Sequence, residues 1–200
     1  MSLLINSPST AFNFQKFEVC AGVPSIHGML IIEPKIFADG RGWFFESFNE
    51  NAFFKAVGLN SKFAQDNHSF SYYGVLRGLH YQLKHPQGKL VRVVSGSIFD
   101  VTVDVRKLSP TYGRWFGIEV SALNRKQLWI PPGVAHGFLV ISDGAEVLYK
   151  ATDFYDPQSE VCLAWNDPTA GVEWPLPKGV LPNINAKDAV GLSWDAIPKF

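Results

Sequence analysis

The sequence predicts an all-β domain, an antiparallel sandwich or barrel with little helix. Short apolar runs rich in β-branched and aromatic residues recur through the middle of the chain, and Gly, Pro, Asn, Asp or Ser separates most of them. Little helical pattern lies between the runs, which is typical of antiparallel folds. The predicted strands are Met29–Ile32, Trp43–Phe48, Val75–Gln82, Leu90–Ser95, Ile98–Val105, Trp115–Ser121, Gln127–Ile130, Gly137–Ser142 and Glu146–Thr152.

The strand Ile98–Val105 shows the clearest alternation. Successive side chains of a strand point to opposite faces of the sheet. Its two faces are therefore expected to carry different residues, with Phe99, Val101, Val103 and Val105 on one and Asp100, Thr102 and Asp104 on the other.

One short helix is predicted at Glu50–Val57. Asn49 can cap its first turn, since an Asn side chain accepts a hydrogen bond from a free backbone N–H there. Phe48 and Phe53 occupy the two positions of a hydrophobic staple, and Gly58 can end the helix.

The composition fits a single globular domain without a net charge. The chain has 200 residues, of which 46% are hydrophobic and 18% charged, so it is neither disordered nor too small to bury a core. Lys and Arg together number 18, as do Asp and Glu. No basic excess is available for nucleic acid, and any anionic ligand must be held by a local cluster of Arg and Lys.

The two ends of the chain are expected to differ from its middle. We expect a core at about residues 30–175 and an N-terminal extension at residues 1–25 of the same domain. Several prolines follow Trp174, so residues 176–200 are expected to form an arm on the surface of that core.

The chain carries no signal for secretion or membrane insertion. Its first residues, MSLLINSPST, lack a basic segment, and no apolar run approaches the length of a membrane span. Cys20 and Cys162 are too few and too far apart to suggest a disulfide framework or a zinc site. We therefore expect a cytoplasmic protein.

Two histidines and a lysine are expected around one cavity. His80 lies in RGLHYQ, Lys89 opens the next strand in QGKLVRV, and His136 follows the turn in PPGVAHGF. A single histidine on a strand is more often a satisfied core residue. A cavity lined by all three is costly to build unless it handles charge.

The stretch PPGVAHGF matches the Pro-x-Gly-x-x-His turn of metal-binding cupins. The partner motif of those proteins is His-x-His with a downstream Glu, whereas this chain has His80-Tyr81-Gln82, and Asp100 is its next acidic residue. Two histidines do not supply the three or four ligands of a typical site. We expect a barrel of this type without a metal and without another cofactor.

Two arginines and two tyrosines can each be interpreted either as an ordinary structural residue or as a residue that acts on a ligand. Arg41 in DGRGWFFES and Arg77 in VLRGLH both precede a glycine, and guanidinium groups bind phosphates well. Tyr149 and Tyr155 in VLYKATDFYDP read as ordinary strand aromatics. A buried tyrosine hydroxyl can also donate a proton, and a tyrosine ring can stack on a nucleobase.

The chain resembles the dTDP-4-dehydrorhamnose 3,5-epimerase family in segments that follow in order from about Ile31 to Asp188. These segments are DGRGWFFESF, FAQDNHS, GVLRGLHYQ, QGKLVRVVSGSIFDV, RKLSPTYGRW, QLWIPPGVAHGF, LYKATDFY and WNDP. The resemblance implies a cupin-type jelly roll that works as a homodimer without metal. It also implies inversion of C3 and C5 in dTDP-4-dehydro-6-deoxy-D-glucose, the third step of dTDP-L-rhamnose synthesis.

The same resemblance implies residue roles. His80 matches the general base, oriented by Asp188, while Tyr149 matches the general acid on the other face of the sugar and Lys89 the group that stabilises the enolate. The implied binding positions are Arg41 and Arg77 for the diphosphate (Arg41 supplied across the dimer), Glu46, Gln65 and Asn67 for nucleotide and sugar, Tyr155 against thymine, and His136, Glu160 and Lys187.

Strict strand alternation would place Arg77 and His80 on opposite faces, because they are three residues apart. A β-bulge at Gly78 would bring both side chains to one face. Without a bulge, Arg77 would point away from His80.

Three alternatives stay open. Relatives that invert one centre share the same base, so an epimerase of C3 or C5 alone is possible. A jelly roll that binds a sugar nucleotide without turnover is the second alternative, although binding alone does not require an acid and a base. The third is a metal-dependent cupin, such as a dioxygenase or isomerase.

Overall fold

The computed structural model describes residues 26–57 and 62–200, together with the backbone of a strand at Phe12–Lys16. Gly58, Cys20 and the N-terminal extension apart from that strand lie outside the described residues. No helix in this part of the chain is long and apolar enough to cross a bilayer. The elements are β1 (Phe12–Lys16), β2 (Leu30–Pro34), β3 (Phe37–Asp39), β4 (Gly42–Phe44), α1 (Glu50–Val57), β5 (Gln65–Tyr72), β6 (Leu76–Gln82), β7 (Lys89–Ser95), β8 (Ser97–Asp104), β9 (Trp115–Ser121), β10 (Gln127–Ile130), β11 (Val134–Val140), β12 (Gly144–Ala151), β13 (Glu160–Cys162) and α2 (Ala186–Ala189).

Two antiparallel sheets form the body of the fold. One has the strand order β1-β2-β10-β7-β12-β5 and the other β13-β6-β11-β8-β9, while β3 and β4 form a separate hairpin. Apolar side chains from both sheets meet in one buried cluster, which includes Val91 and Val147 from the first sheet and Val120 and Val140 from the second. The predicted antiparallel, almost helix-free architecture is confirmed.

The alternation predicted for β8 is also confirmed, and both of its faces are buried. Val101 and Val103 belong to a cluster that includes Trp194 and Ile197. Asp100, on the other face, is 1% exposed and points toward the interior between the sheets. The C-terminal residues therefore cover the outer face of the five-stranded sheet, which explains why this strand is apolar on that side.

The C-terminal arm is attached to the barrel at two points that flank α2. Leu76 N–H donates to the carbonyl of Asn183 at 2.9 Å, and Leu192 N–H donates to the carbonyl of Cys162 at 2.8 Å. Because backbone bonds hold the arm on both sides, α2 lies against β6.

The predicted start of α1 is correct. Asn49 Oδ1 accepts a hydrogen bond from Ala52 N–H at 3.0 Å, and the rings of Phe48 and Phe53 lie 5.8 Å apart. The strand predicted at Trp43–Phe48 is wrong beyond Phe44. The chain leaves the β3–β4 hairpin there because the aromatic side chain of Phe48 packs against α1 instead of a neighbouring strand.

Five elements were absent from the sequence-based assignment: β1, β3, β5, β13 and α2. Strand β5 was not predicted because its sequence, QDNHSFSY, contains no β-branched residue. Its exposure nevertheless alternates along most of its length, with the polar side chains of Gln65, Asn67, Ser69 and Ser71 on the less exposed face.

A bulge in β6 brings Arg77 and His80 to the same side, which is the first of the two outcomes that the sequence left open. In the pairing with β11, His136 is opposite His80 and Phe138 is opposite Arg77, so β6 contains one extra residue. Gly78 has a φ of +110°, and a β-carbon there would lie 2.6 Å from Gly137 Cα. Glycine is required because the two strands approach so closely.

We expect Gly78→Ala to lower the free energy of unfolding by about 3 kcal/mol or more. A positive φ costs a side-chain-bearing residue about 1–2 kcal/mol, and overpacking adds about 1–3 kcal/mol. Gly74→Ala is the matched control, since Gly74 has a φ of +74° but open space where the β-carbon would be. Urea denaturation of both variants checks this, and equal losses would contradict a steric requirement at Gly78.

Candidate active site

A cavity of about 310 Å³ opens between the two sheets, a size suited to a small-molecule ligand. Its walls come from both sheets, from the loop before β7 and from the C-terminal arm. The lining residues are Gln65, Asn67, Ser69, Arg77, His80, Gln87, Lys89, His136, Gly137, Phe138, Tyr149, Tyr155, Glu160, Asn185 and Asp188.

The cavity gathers most of the residues that the sequence predicted for the site. All four predicted catalytic residues line it, as do six of the predicted binding residues: Gln65, Asn67, Arg77, His136, Tyr155 and Glu160. Lys187 lies at the rim, where its ammonium contacts Glu160 and is 3.5 Å from the Tyr155 hydroxyl. Arg41 and Glu46 do not line the cavity.

His80 and Asp188 form a hydrogen-bonded pair in one wall. His80 Nε2 lies 2.8 Å from Asp188 Oδ1, and Gly78 N–H donates to Asp188 Oδ2 at 3.1 Å. An ionised carboxylate can only accept hydrogen bonds, so the proton of this bond belongs to Nε2, and the lone pair of a neutral ring would be on Nδ1. The pair therefore fixes the orientation of the imidazole and selects one tautomer.

The local structure keeps Asp188 ionised. Burial acts to raise the pKa of this carboxyl, but the hydrogen bond and charge of His80, the Gly78 amide and the Lys187 charge together hold its pKa below the ordinary value. Asn185 caps α2 by accepting a hydrogen bond from Asp188 N–H at 2.7 Å. That cap fixes the backbone from which the carboxylate projects.

A second imidazole–carboxylate pair lies deeper, between β11 and β8. His136 Nε2 is 2.8 Å from Asp100 Oδ2, and both residues are buried. In the described part of the chain, Asp100 Oδ1 has no hydrogen-bond partner, which is costly for a buried oxygen. Sequence analysis gave Asp100 no role in the site, although the alternation of β8 places it on the interior face.

Lys89 adds a cation to this interior. Burial lowers the pKa of its ammonium to about 8, and the negative charge of Asp100 opposes that shift. Lys89 is therefore mostly protonated at neutral pH and loses its charge slightly above it. His136, which is hydrogen-bonded to Asp100, and Tyr149 also line the cavity.

Tyr149 faces the cavity from the sheet opposite His80. It lies on β12 of the six-stranded sheet, whereas His80 lies on β6 of the five-stranded sheet. Burial raises the pKa of the Tyr149 hydroxyl, and Tyr155 raises it further, while the Arg77 charge lowers it. The phenol is thus protonated, and a ligand between the sheets would have an imidazole on one side and this hydroxyl on the other.

Polar groups surround the mouth of the cavity. The Tyr155 hydroxyl donates to Glu160 at 3.3 Å, and the Tyr155 N–H donates to Gln65 at 3.0 Å. Arg77 Nε donates to the Ser71 hydroxyl at 3.0 Å. This rim combines an aromatic ring with a guanidinium group, as recognition of a nucleoside phosphate requires.

Arg41 and Glu46 lie elsewhere in the described chain. The Arg41 guanidinium is 2.6 Å from Asp39 within the β3–β4 hairpin, and its side chain is 91% exposed. Glu46 accepts a hydrogen bond from Asn49 at 3.1 Å.

Ser69, Gln87 and Asn185 line the cavity but were missed by sequence analysis. Ser69 could have been found from the alternation it shares with Gln65 and Asn67. Asn185 could have been found as the polar residue before AKDA, a typical helix cap. Gln87 carries no such signal, because its place depends on a loop held by a bond from its side chain to the carbonyl of Asp153.

Cys162 lies next to the His80–Asp188 pair without a strong partner. Its thiol makes only a weak contact with the Leu163 carbonyl at 3.8 Å. Burial raises the pKa of this thiol to about 12, and the charge of Asp188 adds to the shift. The thiol is therefore neutral and is a poor nucleophile.

The family model described as dTDP-4-dehydrorhamnose 3,5-epimerase matches residues 24–195. The chain belongs to this family. It is 52% identical over 167 residues to the dTDP-4-dehydrorhamnose 3,5-epimerase of Pseudomonas aeruginosa, an alignment that covers 84% of this chain and 91% of the relative. The family predicted from the sequence motifs is confirmed.

Solved structures of the family show the same fold. The dTDP-6-deoxy-D-glucose-3,5-epimerase of Legionella pneumophila, in complex with dTDP-4-keto-L-rhamnose, has a TM-score of 0.85 and 43% identity, covering 94% of this chain and 95% of that one. A 3′-monoepimerase from Streptomyces bikiniensis, in complex with dTDP-quinovose, has a TM-score of 0.79 and 33% identity, with 86% of each chain covered. The predicted cupin-type jelly roll is confirmed.

We expect the Lys89 ammonium to titrate near pH 8, and Asp100→Asn to move that titration to lower pH. The Asp100 charge raises the pKa of Lys89, so its removal leaves burial unopposed. NMR titration of lysine labelled with ¹³C at Cε measures both values, with exposed lysines as internal controls. A Lys89 signal that titrates with the exposed lysines would contradict the buried ammonium.

Proposed function

We propose that the protein inverts C3 and C5 of dTDP-4-dehydro-6-deoxy-D-glucose to give dTDP-4-dehydro-L-rhamnose. The observation that carries this proposal is the pair of groups facing each other across the cavity. The His80 imidazole, hydrogen-bonded to Asp188, lies in one sheet, and the protonated Tyr149 lies in the other. The family relatives at about half identity carry the name of this reaction.

The first step is removal of a proton beside the C4 ketone, which acidifies the hydrogens on both C3 and C5. His80 Nδ1 has the free lone pair and takes the proton. Asp188 accepts the hydrogen bond from Nε2 and stabilises the imidazolium that forms. A positioned general base contributes about 10²–10⁴-fold to such a step.

The enolate that results places negative charge on the C4 oxygen. The Lys89 ammonium stabilises the negative charge on the C4 oxygen, and His136, which lines the same cavity, is a second hydrogen-bond donor. A donor aimed at a developing oxyanion is worth about 3 kcal/mol. Asp100 holds the His136 ring through Nε2 and supplies a negative charge near the Lys89 ammonium.

Inversion follows when the carbon receives its new proton from the other face. Tyr149 delivers this proton from the opposite sheet, since return from His80 would restore the starting configuration. The imidazolium then loses its proton, the phenolate regains one from solvent, and the same groups act on the second carbon. Substrate and product are isomers, so the reaction needs no redox partner.

The nucleotide lies toward the mouth of the cavity in this proposal. Arg77 binds the diphosphate, and the Tyr155 ring stacks on the thymine. Gln65, Asn67, Glu160 and Lys187 complete the polar contacts around the sugar nucleotide.

Arg41 and Glu46 enter the site from a second copy of the chain. The hairpin that carries Arg41 exposes large aromatic side chains, with Phe37 at 48%, Trp43 at 58% and Phe44 at 67%. Such a cluster of exposed aromatic rings is typical of an interaction surface. We propose that this hairpin packs on a partner copy in a homodimer and that the diphosphate then contacts arginines from both chains.

An epimerase of a single centre is the second candidate, because the Streptomyces bikiniensis structure named a 3′-monoepimerase shares this fold. The two candidates use the same base and differ in how many carbons exchange hydrogen with solvent. Exchange at each carbon therefore distinguishes them.

The decisive experiment follows the substrate by NMR in D₂O with the wild type and with His80→Asn. The wild type is expected to introduce deuterium at both C3 and C5, and the variant to do so about 10²–10⁴-fold more slowly because its base is missing. His68→Asn is the matched control, since His68 pairs with Glu146 on the outer face of β5 and should leave the rate unchanged.

Each outcome of that experiment decides between candidates. Deuterium at only one carbon would replace the double epimerase by the single-centre enzyme. Binding of the nucleotide sugar without any exchange would identify a binding module. A His80→Asn protein as fast as the wild type would remove His80 from the mechanism.

Complementation tests the contribution of Arg41 across the dimer. We expect Arg41→Ala and His80→Asn each to be impaired alone, and a refolded mixture to recover about a quarter of the wild-type activity. Random mixing makes half of the dimers mixed, and each of these has one complete site. If the mixture shows no recovery although affinity purification through a tag on one variant also recovers the other variant, Arg41 does not act in trans.

A further inference from the structure

Cys162 is a potential metal ligand that the proposed reaction does not use. It lies on β13 directly opposite His80 of β6 in the antiparallel pairing. Side chains at directly opposite positions share one face of the sheet. The thiol is free, and the arm brings Asp188 to the same place.

Three different donor atoms meet at this point. A ring nitrogen of His80, the Cys162 sulfur and a carboxylate oxygen of Asp188 all lie within 4.8 Å of one another. Cysteine, histidine and aspartate are the ligands that Zn²⁺ uses, with bonds of about 2.3 Å to sulfur and about 2.0 Å to nitrogen and oxygen. Ligand atoms around such an ion lie roughly 3–4 Å apart, so modest side-chain rotation brings all three into range.

The position also leaves room for a fourth ligand. His80 and Asp188 both line the cavity, so an ion bound to them is open to solvent on that side. Asp188 binds His80 through Oδ1 and the Gly78 amide through Oδ2. A metal on Oδ1 therefore leaves the backbone contact of Oδ2 in place, and a water molecule from the cavity can complete a tetrahedron.

We propose that Zn²⁺ binds reversibly to His80, Cys162 and Asp188 and inhibits the enzyme. Binding is a ligand exchange without oxidation or reduction: the Cys162 thiol releases its proton to solvent as the zinc–sulfur bond forms, and when Nε2 binds the ion its proton passes through solvent to Nδ1. The ion is an inhibitor and not a cofactor. Its effect on turnover rests on the proposed function, whereas its binding does not.

Inhibition follows from what the metal does to the base. A Zn²⁺ ion on the imidazole either occupies the lone pair of His80 or withdraws electron density from the ring. It also engages the carboxylate that would stabilise the imidazolium. In both cases the proton on the substrate carbon loses its acceptor.

Metal binding is tested with Co²⁺ alone, whose bond to a thiolate gives a charge-transfer band in the near ultraviolet. The full-length protein is expected to show this band, and Cys162→Ser to lack it. Cys20→Ser is the matched control that should keep the band, because Cys20 is the only other thiol in the sequence. A band that persists in Cys162→Ser, or no band in the wild type, overturns the proposed site.

Inhibition is tested by deuterium exchange in the presence of Zn²⁺. We expect Zn²⁺ to stop exchange in the wild type and a chelator to restore it. Cys162→Ser should keep the metal-free rate and require about tenfold or more Zn²⁺ for the same inhibition, as expected when a ligand is lost. Cys162→Ala provides a second variant, and circular dichroism checks that both fold.

The results separate the two proposals. Equal sensitivity of wild type and Cys162→Ser to Zn²⁺ would show that inhibition acts elsewhere and would overturn the inference. A Co²⁺ band that depends on Cys162, in a protein that exchanges no deuterium at all, would support the metal site and reject the proposed epimerase.

Discussion

The hydrogen bond between His80 and Asp188 is the interaction on which the rest of the site depends. It joins β6 of the barrel to α2 of the C-terminal arm. A carboxylate that is 1% exposed is stable only when its oxygens are bonded, and here the imidazole and the Gly78 amide supply those bonds. The bulge in β6, the cap of α2 and the two backbone attachments of the arm all serve to place these partners together.

The two-sheet architecture places the second titratable side chain, Tyr149, on the wall of the cavity opposite His80. In the proposed reaction, an acid and a base approach a planar enolate from opposite sides, and a jelly roll places strands of different sheets on opposite walls of one cavity. Tyr149 and His80 occupy those walls. Lys89 and the buried His136–Asp100 pair then form a charged interior that is unfavourable in an empty core and suited to an anionic intermediate.

The sequence predicted the apolar strands and the inner site well, because alternation in β8 and the motifs around His80, Lys89 and His136 are local signals. It named Gly78 as the position where a bulge could bring Arg77 and His80 to one face, but only the pairing of β6 with β11 decided that the bulge forms. Strand β5 was missed because its face toward the cavity is polar, and the strand predicted through Phe48 was wrong because packing against α1 outweighed β propensity. The sequence could not show that Asp100 and Cys162 lie beside site residues, because the histidines next to them come from strands distant in sequence.

The backbone attachments of the arm have a consequence for biosynthesis. All strands of both sheets precede Asn183, so they leave the ribosome before the segment that carries Asp188. A barrel formed during translation would hold His80 without its carboxylate. The hydrogen bonds that Asp188 accepts from His80 and from the Gly78 amide would then form last, when the trailing segment docks on β6.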